Sequence, residues 1–304
     1  MSLPEDYTRY PLRKHGQDQD RHHWRPITER APATLPDGKT LGVSIVVPLE
    51  FFMLNPSGKP FKHPGAMVTP YPDLRHYTTR DYGNRVGAYR LLDAFAKAGV
   101  KATFAVNAAL LDRINPLIAD IAADGHEIAA HGYDTDSLHW GGVEPEIERG
   151  YVSETRKAFQ RAGLTPRTWL SPARQQSYST LDLVRAEGFD ICLDWETDTV
   201  PLAMHTNAGE VRAFPLLNEL DDRNLLIAKN HSEEDWLRQI VEAADMMKSD
   251  APRHGASVFG FTMTPYISGL PYRMWAVREI LAMLANDDKI LCASVSTLTD
   301  AVKS

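Results

Sequence analysis

Short apolar runs alternate with amphipathic stretches along most of the chain. The first run, residues 42–49 (GVSIVVPL), is almost continuously apolar and β-branched, which is typical of a strand buried on both faces of a parallel sheet. Residues 82–99 repeat apolar side chains at a helical period and end at a glycine, which predicts a helix with a C-terminal stop signal. We therefore expect the folded region to begin with a strand that a helix follows.

The same alternation continues to the C-terminus. Further strands are expected at 101–106, 126–130, 167–170, 189–193, 211–215, 225–229, 256–263 and 290–294, and further helices at 110–123, 144–163, 179–187 and 273–286. Strands that alternate with helices in this way indicate a parallel α/β protein. Because right-handed crossovers favour closure of such a sheet, the predicted architecture is a (β/α) barrel of seven or eight strands.

Two polar segments depart from this alternation. Residues 1–40 are rich in Arg, His and Pro, which predicts an extended N-terminal arm, and residues 41–304 then form the barrel domain. Residues 51–80 contain several Pro and Gly, which predicts a long irregular loop, a kind of segment that is usually functional or disordered. Both segments carry aromatic side chains, which gain order when they are buried against another surface. Because a second copy of the chain can provide that surface, we expect a homo-oligomer.

Composition and charge narrow the class of partner. The chain has 33 Lys and Arg against 40 Asp and Glu, a net charge of −7, and no run of basic residues. A nucleic-acid partner is therefore not expected, because that affinity needs clustered cations. No apolar stretch approaches the roughly 18 residues of a membrane span, so we expect no membrane association and a cytoplasmic location. The expected partner is a small-molecule substrate.

Candidate chemistry lies where predicted strands end. In a (β/α) barrel the functional side chains come from the carboxyl ends of the strands, a rule that selects Glu50, His131 and Arg174. A carboxylate, an imidazole and a guanidinium that converge can activate water, transfer its proton and hold a developing oxyanion. Burial is expected to raise the pKa of Glu50 toward a value that suits a base. Each residue also has a structural interpretation, as a helix cap, a core histidine or an ion-pair partner.

The order of the segments resembles the polysaccharide deacetylase superfamily, and more narrowly its branch of allantoinases and cyclic imide hydrolases. The most specific tract is 82–133, which joins the helix start YGNRVG to the strand DGHEIAAHGY; the turn SPAR and the late segment MTPYISGLP follow. The resemblance implies a distorted parallel (β/α) barrel and hydrolysis of a C–N bond in a small cyclic amide, imide or ureide, with Glu50 activating water and His131 and Arg174 assisting. It also implies substrate contacts from Tyr82, Asn84, Glu219 and Asp222, and the rule of strand ends adds Asp198 as a further candidate.

The sequence departs from the superfamily pattern at its metal ligands. Members carry two consecutive aspartates after the first strand, where this chain has Glu50 and Phe51. They also carry two histidines four residues apart, where this chain has His131 and Thr135, and a late histidine at the position of Thr264. Three protein ligands are usual for a catalytic zinc ion, and only His131 with Glu50 match. The resemblance thus implies either no metal or one divalent ion, zinc by ligand type.

Several alternatives remain open from the sequence. If the loop after His131 folds back, three neighbouring side chains are available to complete a metal site: Asp134, Asp136 and His139. A second enzymatic hypothesis is an N-deacetylase of a carbohydrate or small N-acyl compound. A third is a binding protein on the same fold that has lost catalysis, which the residues at the departing positions motivate.

Overall fold

One sheet organises the molecule. The computed structural model describes residues 18–56 and 71–303. The strands of the sheet are β1 (Leu41–Leu49), β2 (Thr103–Val106), β3 (Glu127–Ala130), β4 (Thr168–Trp169), β5 (Ile191–Cys192), β6 (Leu202–Thr206), β7 (Gly209–Ala213), β8 (Ser257–Thr262) and β9 (Ile290–Cys292). Their order is β6-β7-β5-β4-β3-β2-β1-β8, and β9 pairs with β1.

The sheet is a curled half-barrel. Within the described residues eight strands pair in parallel, whereas β6 forms an antiparallel hairpin with β7. The predicted distorted (β/α) fold is confirmed, with nine strands instead of seven or eight. Because parallel strands share one direction, their carboxyl ends meet along one edge, and that edge carries the candidate chemistry.

Strand β1 is the centre of the core. All nine of its residues are buried, since the sheet lies beneath helices on one face and packs against its own curled interior on the other. Its register places Val46 beside Thr103 and Val43 beside Phe259. Burying each such Val or Phe contributes about 1.5–3 kcal/mol, which fixes the register of the strand that ends at Glu50.

The helices lie between the strands as the alternation predicts. They are α1 (Leu74–Tyr82), α2 (Ala88–Ala98), α3 (Asn115–Ala123), α4 (Pro145–Arg161), α5 (Thr180–Ala186), α6 (Glu233–His254), α7 (Met274–Asn286) and α8 (Val295–Ala301). A π-helical turn, Gly83–Gly87, joins α1 to α2. Helix α2 ends at Gly99, whose φ of 68° is the left-handed conformation that a terminal glycine supplies.

One predicted strand is wrong. Residues 225–228 lie in the π-helical turn Arg223–Ala228 and Lys229 directly follows it, because Asp222 caps the first N–H of the turn and directs the chain into a helix. The irregular loop predicted for 51–80 is shorter than expected, since α1 already begins at Leu74. Strand β6 and helices α6 and α8 had no counterpart in the sequence-based prediction.

The described part of the predicted arm, residues 18–40, lies along the surface of the sheet domain. Arg21 pairs with Asp182 at 2.7 Å, and Thr34 bridges to Lys303 in antiparallel fashion. The rest of the arm and residues 57–70 lie outside the described residues, and the division at residue 40 stays a prediction, as does the homo-oligomer. None of the helices between residues 18 and 303 that the structure describes has the length and apolar character of a membrane span.

Candidate active site

Glu50 and His131 face each other at the carboxyl edge of the sheet. Glu50 directly follows β1 and His131 directly follows β3, with β2 between them. The side chains are 6% and 3% exposed, and Glu50 Oε1 lies 3.8 Å from His131 Nε2. The predicted convergence of these two groups is therefore observed.

Asn107, which follows β2, ties the two strand ends together. Its side-chain carbonyl accepts the backbone N–H of Phe51 at 2.8 Å, and its amide donates to the backbone carbonyl of His131. The side chain is fully buried, so water does not compete for these bonds. One side chain thus fixes the distance between the segments that carry Glu50 and His131.

The hydrogen bonding of His131 fixes its tautomer. Nδ1 lies 3.0 Å from the carbonyl oxygen of Leu170, and a carbonyl only accepts, so Nδ1 carries the proton. In its neutral form the imidazole then presents the lone pair of Nε2 toward Glu50. A carboxylate oxygen and this nitrogen are both acceptors, and at 3.8 Å they need a shared donor between them.

The other oxygen of Glu50 is held by two donors. Oε2 accepts from Arg223 Nη2 at 2.6 Å and from the Tyr266 hydroxyl at 2.9 Å. Burial acts to raise the pKa of Glu50, but the charge of Arg223, the neighbouring His131 and the hydrogen bond from Tyr266 together outweigh it and hold the pKa at about 2. The expectation of a raised pKa is wrong, because it took account of desolvation without the cation.

A cavity of about 330 Å³ opens beside this pair. Arg174 lines it, and its guanidinium donates to Asp221 Oδ2 at 2.6 Å and to the carbonyl of Leu216 at 2.8 Å. Arg174 and the preceding Ala173 both have positive φ, near 54–55°, which is uncommon for residues with a Cβ and marks a locally strained turn. The strained turn places the Arg174 side chain on the wall of the cavity that Glu50 also lines.

Asp222 lies behind the cavity wall. Its carboxylate accepts from Thr264 N at 2.6 Å, Thr264 Oγ1 at 2.9 Å and the hydroxyl of Ser268. Burial raises its pKa to about 6, although these donors oppose the rise. With both oxygens engaged, Asp222 anchors the segment that carries Tyr266 and does not line the cavity.

The other predicted substrate contacts lie at varied distances from the cavity. Asn84 is buried and donates to the backbone carbonyl of Glu50 at 3.0 Å. The Tyr82 hydroxyl instead accepts from Arg90 at 2.6 Å. Asp198 pairs with Arg30 of the arm, and Glu219 pairs with Lys229 while its side chain is 73% exposed. The structure brings only Asn84 of these four next to Glu50, and substrate contact by the others stays a prediction.

Comparison with known proteins agrees with this arrangement. The family model for polysaccharide deacetylases matches residues 71–191. The match to a polysaccharide deacetylase domain thus lies in the central part of the sheet, from β2 to the start of β5. A candidate polysaccharide deacetylase of Schizosaccharomyces pombe is 22% identical over 242 residues, which cover 73% of this chain and 74% of that protein. The superfamily predicted from the motifs is therefore confirmed.

Solved structures add a likeness of fold. A candidate polysaccharide deacetylase from Mycobacterium smegmatis has a TM-score of 0.73 at 24% identity and covers 89% of this chain and 93% of its own. PuuE allantoinase has a TM-score of 0.78 at 18% identity and covers 97% of both chains. At these identities the likeness concerns the fold.

The donor set does not fit the three-ligand metal site of polysaccharide deacetylases. At two of the expected ligand positions stand Phe51 and Thr135, and the Thr135 hydroxyl donates to the Phe51 carbonyl at 2.8 Å. Of the possible substitutes, Asp134 accepts two backbone N–H groups of its own turn, and His139 is buried against Glu148 at 3.0 Å. Across residues 18–56 and 71–303 no three His, Cys, Asp or Glu side chains converge as a metal site.

Three site residues were not predicted from the sequence. Arg223 was not selected, because it precedes the strand wrongly expected at 225–229 and does not lie at the end of it. Its place directly after two acidic residues at a chain turn marks it as an ion-pair candidate. Tyr266 lies in the late segment MTPYISGLP, and its hydroxyl bonds Glu50. Asn107 follows the end of β2, where the rule of strand ends would have selected it.

Proposed function

We propose that the protein hydrolyses a C–N bond in a small cyclic amide, imide or ureide. The observation that carries this proposal is the pair of acceptors, Glu50 Oε1 and His131 Nε2, set 3.8 Å apart on the wall of a cavity of about 330 Å³. That volume lies at the lower end of small-molecule sites, which suits a single small ring.

The pair is arranged to hold the attacking water. A water about 2.8 Å from each acceptor subtends an angle of roughly 85° across the 3.8 Å gap, near the angle between its own two O–H bonds. Both protons of the water then point at protein acceptors, and an oxygen lone pair is left for a carbonyl carbon in the cavity. Because His131 is fixed by Leu170 and Glu50 by Arg223, the water is oriented before the substrate arrives.

The water proton passes to His131 and not to Glu50 in this mechanism. A carboxylate with a pKa near 2 retains a proton poorly, so the water proton moves to His131 Nε2 as the water oxygen bonds to the carbonyl carbon. The C–N bond then breaks, and the same proton passes from His131 to the departing nitrogen. The new carboxylic acid loses the second water proton, so the ring opens to an amine or amide and a carboxylate.

Arg174 supplies a guanidinium on the wall of the same cavity, paired with Asp221 and Glu196. Asp221 and the Leu216 carbonyl hold its guanidinium before any ligand binds. A preorganised cation stabilises the oxyanion that forms on the attacked carbonyl more effectively than water does. This assignment keeps the assisting role that the motif resemblance implies for Arg174.

A turnover panel tests the proposal. Purified protein is assayed with allantoin, dihydrouracil, hydantoin, succinimide and maleimide, and we expect ring opening of at least one. Glu50→Gln and His131→Gln should each lower kcat/KM by about 100-fold or more while the fold is retained. Glu146→Gln, whose side chain is 83% exposed, is the matched control. Turnover that is unchanged in Glu50→Gln would refute the mechanism, and binding without turnover would favour a catalytically inactive binding protein.

A second candidate function is N-deacetylation of a carbohydrate or small N-acyl compound. The match of residues 71–191 to polysaccharide deacetylases favours it. Acetate released from N-acetylglucosamine oligomers, with no opening of any ring in the panel, would select this alternative.

A further inference from the structure

A second cavity borders Glu50 on the side away from the first. It measures about 530 Å³, and its wall includes the end of β1, helix α1, the π-helical turn after it and the start of α3. Three arginines line it: Arg80, Arg85 and Arg113. Of the residues on its wall that the structure describes, only Glu50 and Asp81 are acidic.

The two acids are already paired with other cations. Glu50 is bound by Arg223 at 2.6 Å, and Asp81 by Arg85 at 2.6 Å. Arg113 lies across the ring of Phe51, 4.7 Å from its centroid, at the exposed rim. Positive charge from Arg80 and Arg113 is therefore left without a carboxylate partner among the described residues.

Arg80 is the decisive group. Its side chain is 3% exposed, and a single hydrogen bond, from Nη1 to the His76 carbonyl at 3.0 Å, holds it within the described chain. Nε and Nη2 are closed to solvent and have no acceptor there. The guanidinium packs on the ring of Phe52, 4.2 Å from its centroid. A buried cation with unmet donors is costly, and a ligand that supplies acceptors offsets that cost.

We propose that this second cavity is a carboxylate subsite, with Arg80 as its principal ligand. The planar fork of arginine matches the two oxygens of a carboxylate. Arg80 is positioned by one hydrogen bond from Nη1 and by the rings of Phe52 and Tyr266, which leaves Nε and Nη2 for an acceptor that a ligand supplies. Arg113 adds charge at the mouth, and Glu50 lines both cavities, so the subsite lies next to the water-binding pair.

The proposal rests on the proposed function and deepens it. Ring opening converts a neutral carbonyl into a carboxylate beside Glu50, so the subsite receives either that new carboxylate or a carboxylate that the substrate already carries. Both sources present the same group, a carboxylate, and the experiments below separate them.

Binding is tested with succinamate, the ring-opened form of succinimide, and with neutral succinamide as its control. By calorimetry, succinamate should bind the full-length protein, and Arg80→Met should lower its affinity about tenfold or more. Succinamide should bind the wild type and Arg80→Met with the same affinity. Arg85→Met, which removes an arginine already paired on the same wall, should change the affinity by less than about threefold. Equal binding of succinamate by wild type and Arg80→Met would overturn the proposal.

Stability distinguishes a binding role from a structural one. Without ligand, Arg80→Met should melt at the same temperature as the wild type or higher, because a cation with unmet donors is removed from the interior. Arg80→Lys should keep part of the affinity for succinamate, because lysine retains the positive charge but lacks the planar guanidinium. A large fall in melting temperature in both variants would show that Arg80 is structural and overturn the subsite.

Kinetics separate the two sources of carboxylate. If Arg80→Met relieves inhibition by succinamate and leaves kcat/KM for succinimide unchanged, the subsite takes the product. If it lowers kcat/KM for hydantoin-5-acetate by about tenfold and not that for hydantoin, the subsite takes a substrate carboxylate. Arg80-dependent binding without turnover of any ring would refute the proposed function alone, and ring opening without such binding would refute the subsite alone.

Discussion

Arg223 donates from Nη2 to Oε2 of Glu50 over 2.6 Å, while Oε1 of the same carboxylate faces His131. The two oxygens are therefore used differently. Arg223 neutralises Oε2 at the carboxyl edge of the sheet, and Oε1 is turned toward the cavity. This division keeps Glu50 ionised at neutral pH and assigns the transfer of the proton to His131 in the proposed mechanism.

Replacing Arg223 should change the protonation of Glu50. In Arg223→Met the desolvation of the buried carboxyl is no longer opposed by the cation, so its pKa should rise well above 2. Below the new pKa Glu50 is protonated and no longer accepts from the water, so the acid limb of kcat/KM should move to higher pH. At neutral pH kcat/KM should fall about 10-fold to 100-fold.

The pH profile of kcat/KM for the best ring in the panel measures this shift. Arg238→Met serves as a control, because Arg238 is 58% exposed and pairs only along its own helix. An Arg223→Met profile that superimposes on the wild type after scaling would contradict the role of Arg223 in setting the charge of Glu50.

The sequence predicts the positions of Glu50 and His131 well for a physical reason. An uninterrupted β-branched run such as 42–49 is stable only when buried on both faces, and parallel strands bring their ends to one edge. The partners of Glu50 are different. Arg223 lies 173 residues away, in an apolar stretch too short for its period to distinguish a strand from a helical turn.

The sign of the pKa shift of Glu50 could not be predicted for the same reason. Burial alone raises the pKa of a carboxyl group, whereas one cation at hydrogen-bond distance reverses the shift. The sequence shows which residues are apolar enough to bury the group, but not which distant cation the fold brings to it.

Asn107 offers a test of positioning that leaves the proposed reacting groups intact. In Asn107→Asp the carboxylate still accepts the N–H of Phe51, but it cannot donate to the carbonyl of His131 and repels it. The gap between Glu50 and His131 should widen, so kcat should fall about tenfold with little change in KM. Steady-state kinetics measure this split, and Asn218→Asp, on the exposed cavity rim, is the comparison. A KM effect without a kcat effect would contradict the positioning role.

Metal removal should have no effect on turnover. The donors that meet at the cavity edge are one carboxylate and one imidazole, and Thr135 is engaged with the carbonyl of Phe51. Two donors bind a divalent ion far more weakly than the three of a catalytic zinc site. After dialysis against a chelator, kcat/KM should stay within about twofold, and elemental analysis should find less than one zinc per chain. Activity lost on chelation and restored by one equivalent of metal would contradict this expectation.

His126 should make stability depend on pH at the opposite end of β2. Its Nδ1 accepts the N–H of Ala102 at 3.0 Å while the ring packs edge-on against Phe95 and Phe104, an arrangement that requires the neutral imidazole. Burial lowers its pKa from 6.5 to about 4, and Lys101 adds to the effect. The stabilisation is fully present above about pH 6.5 and is lost as the pH falls toward 4, because the unfolded state then binds the proton more readily.

Comparison with His126→Gln isolates this contribution from the other groups that titrate in acid. The variant should be less stable than the wild type by about 1–3 kcal/mol at pH 7.5, and the difference should shrink toward pH 4 as the wild type loses its advantage. Urea unfolding at a series of pH values measures both curves. A difference that stays constant from pH 7.5 to 4 would mean that His126 contributes by packing alone and that its protonation is not coupled to folding.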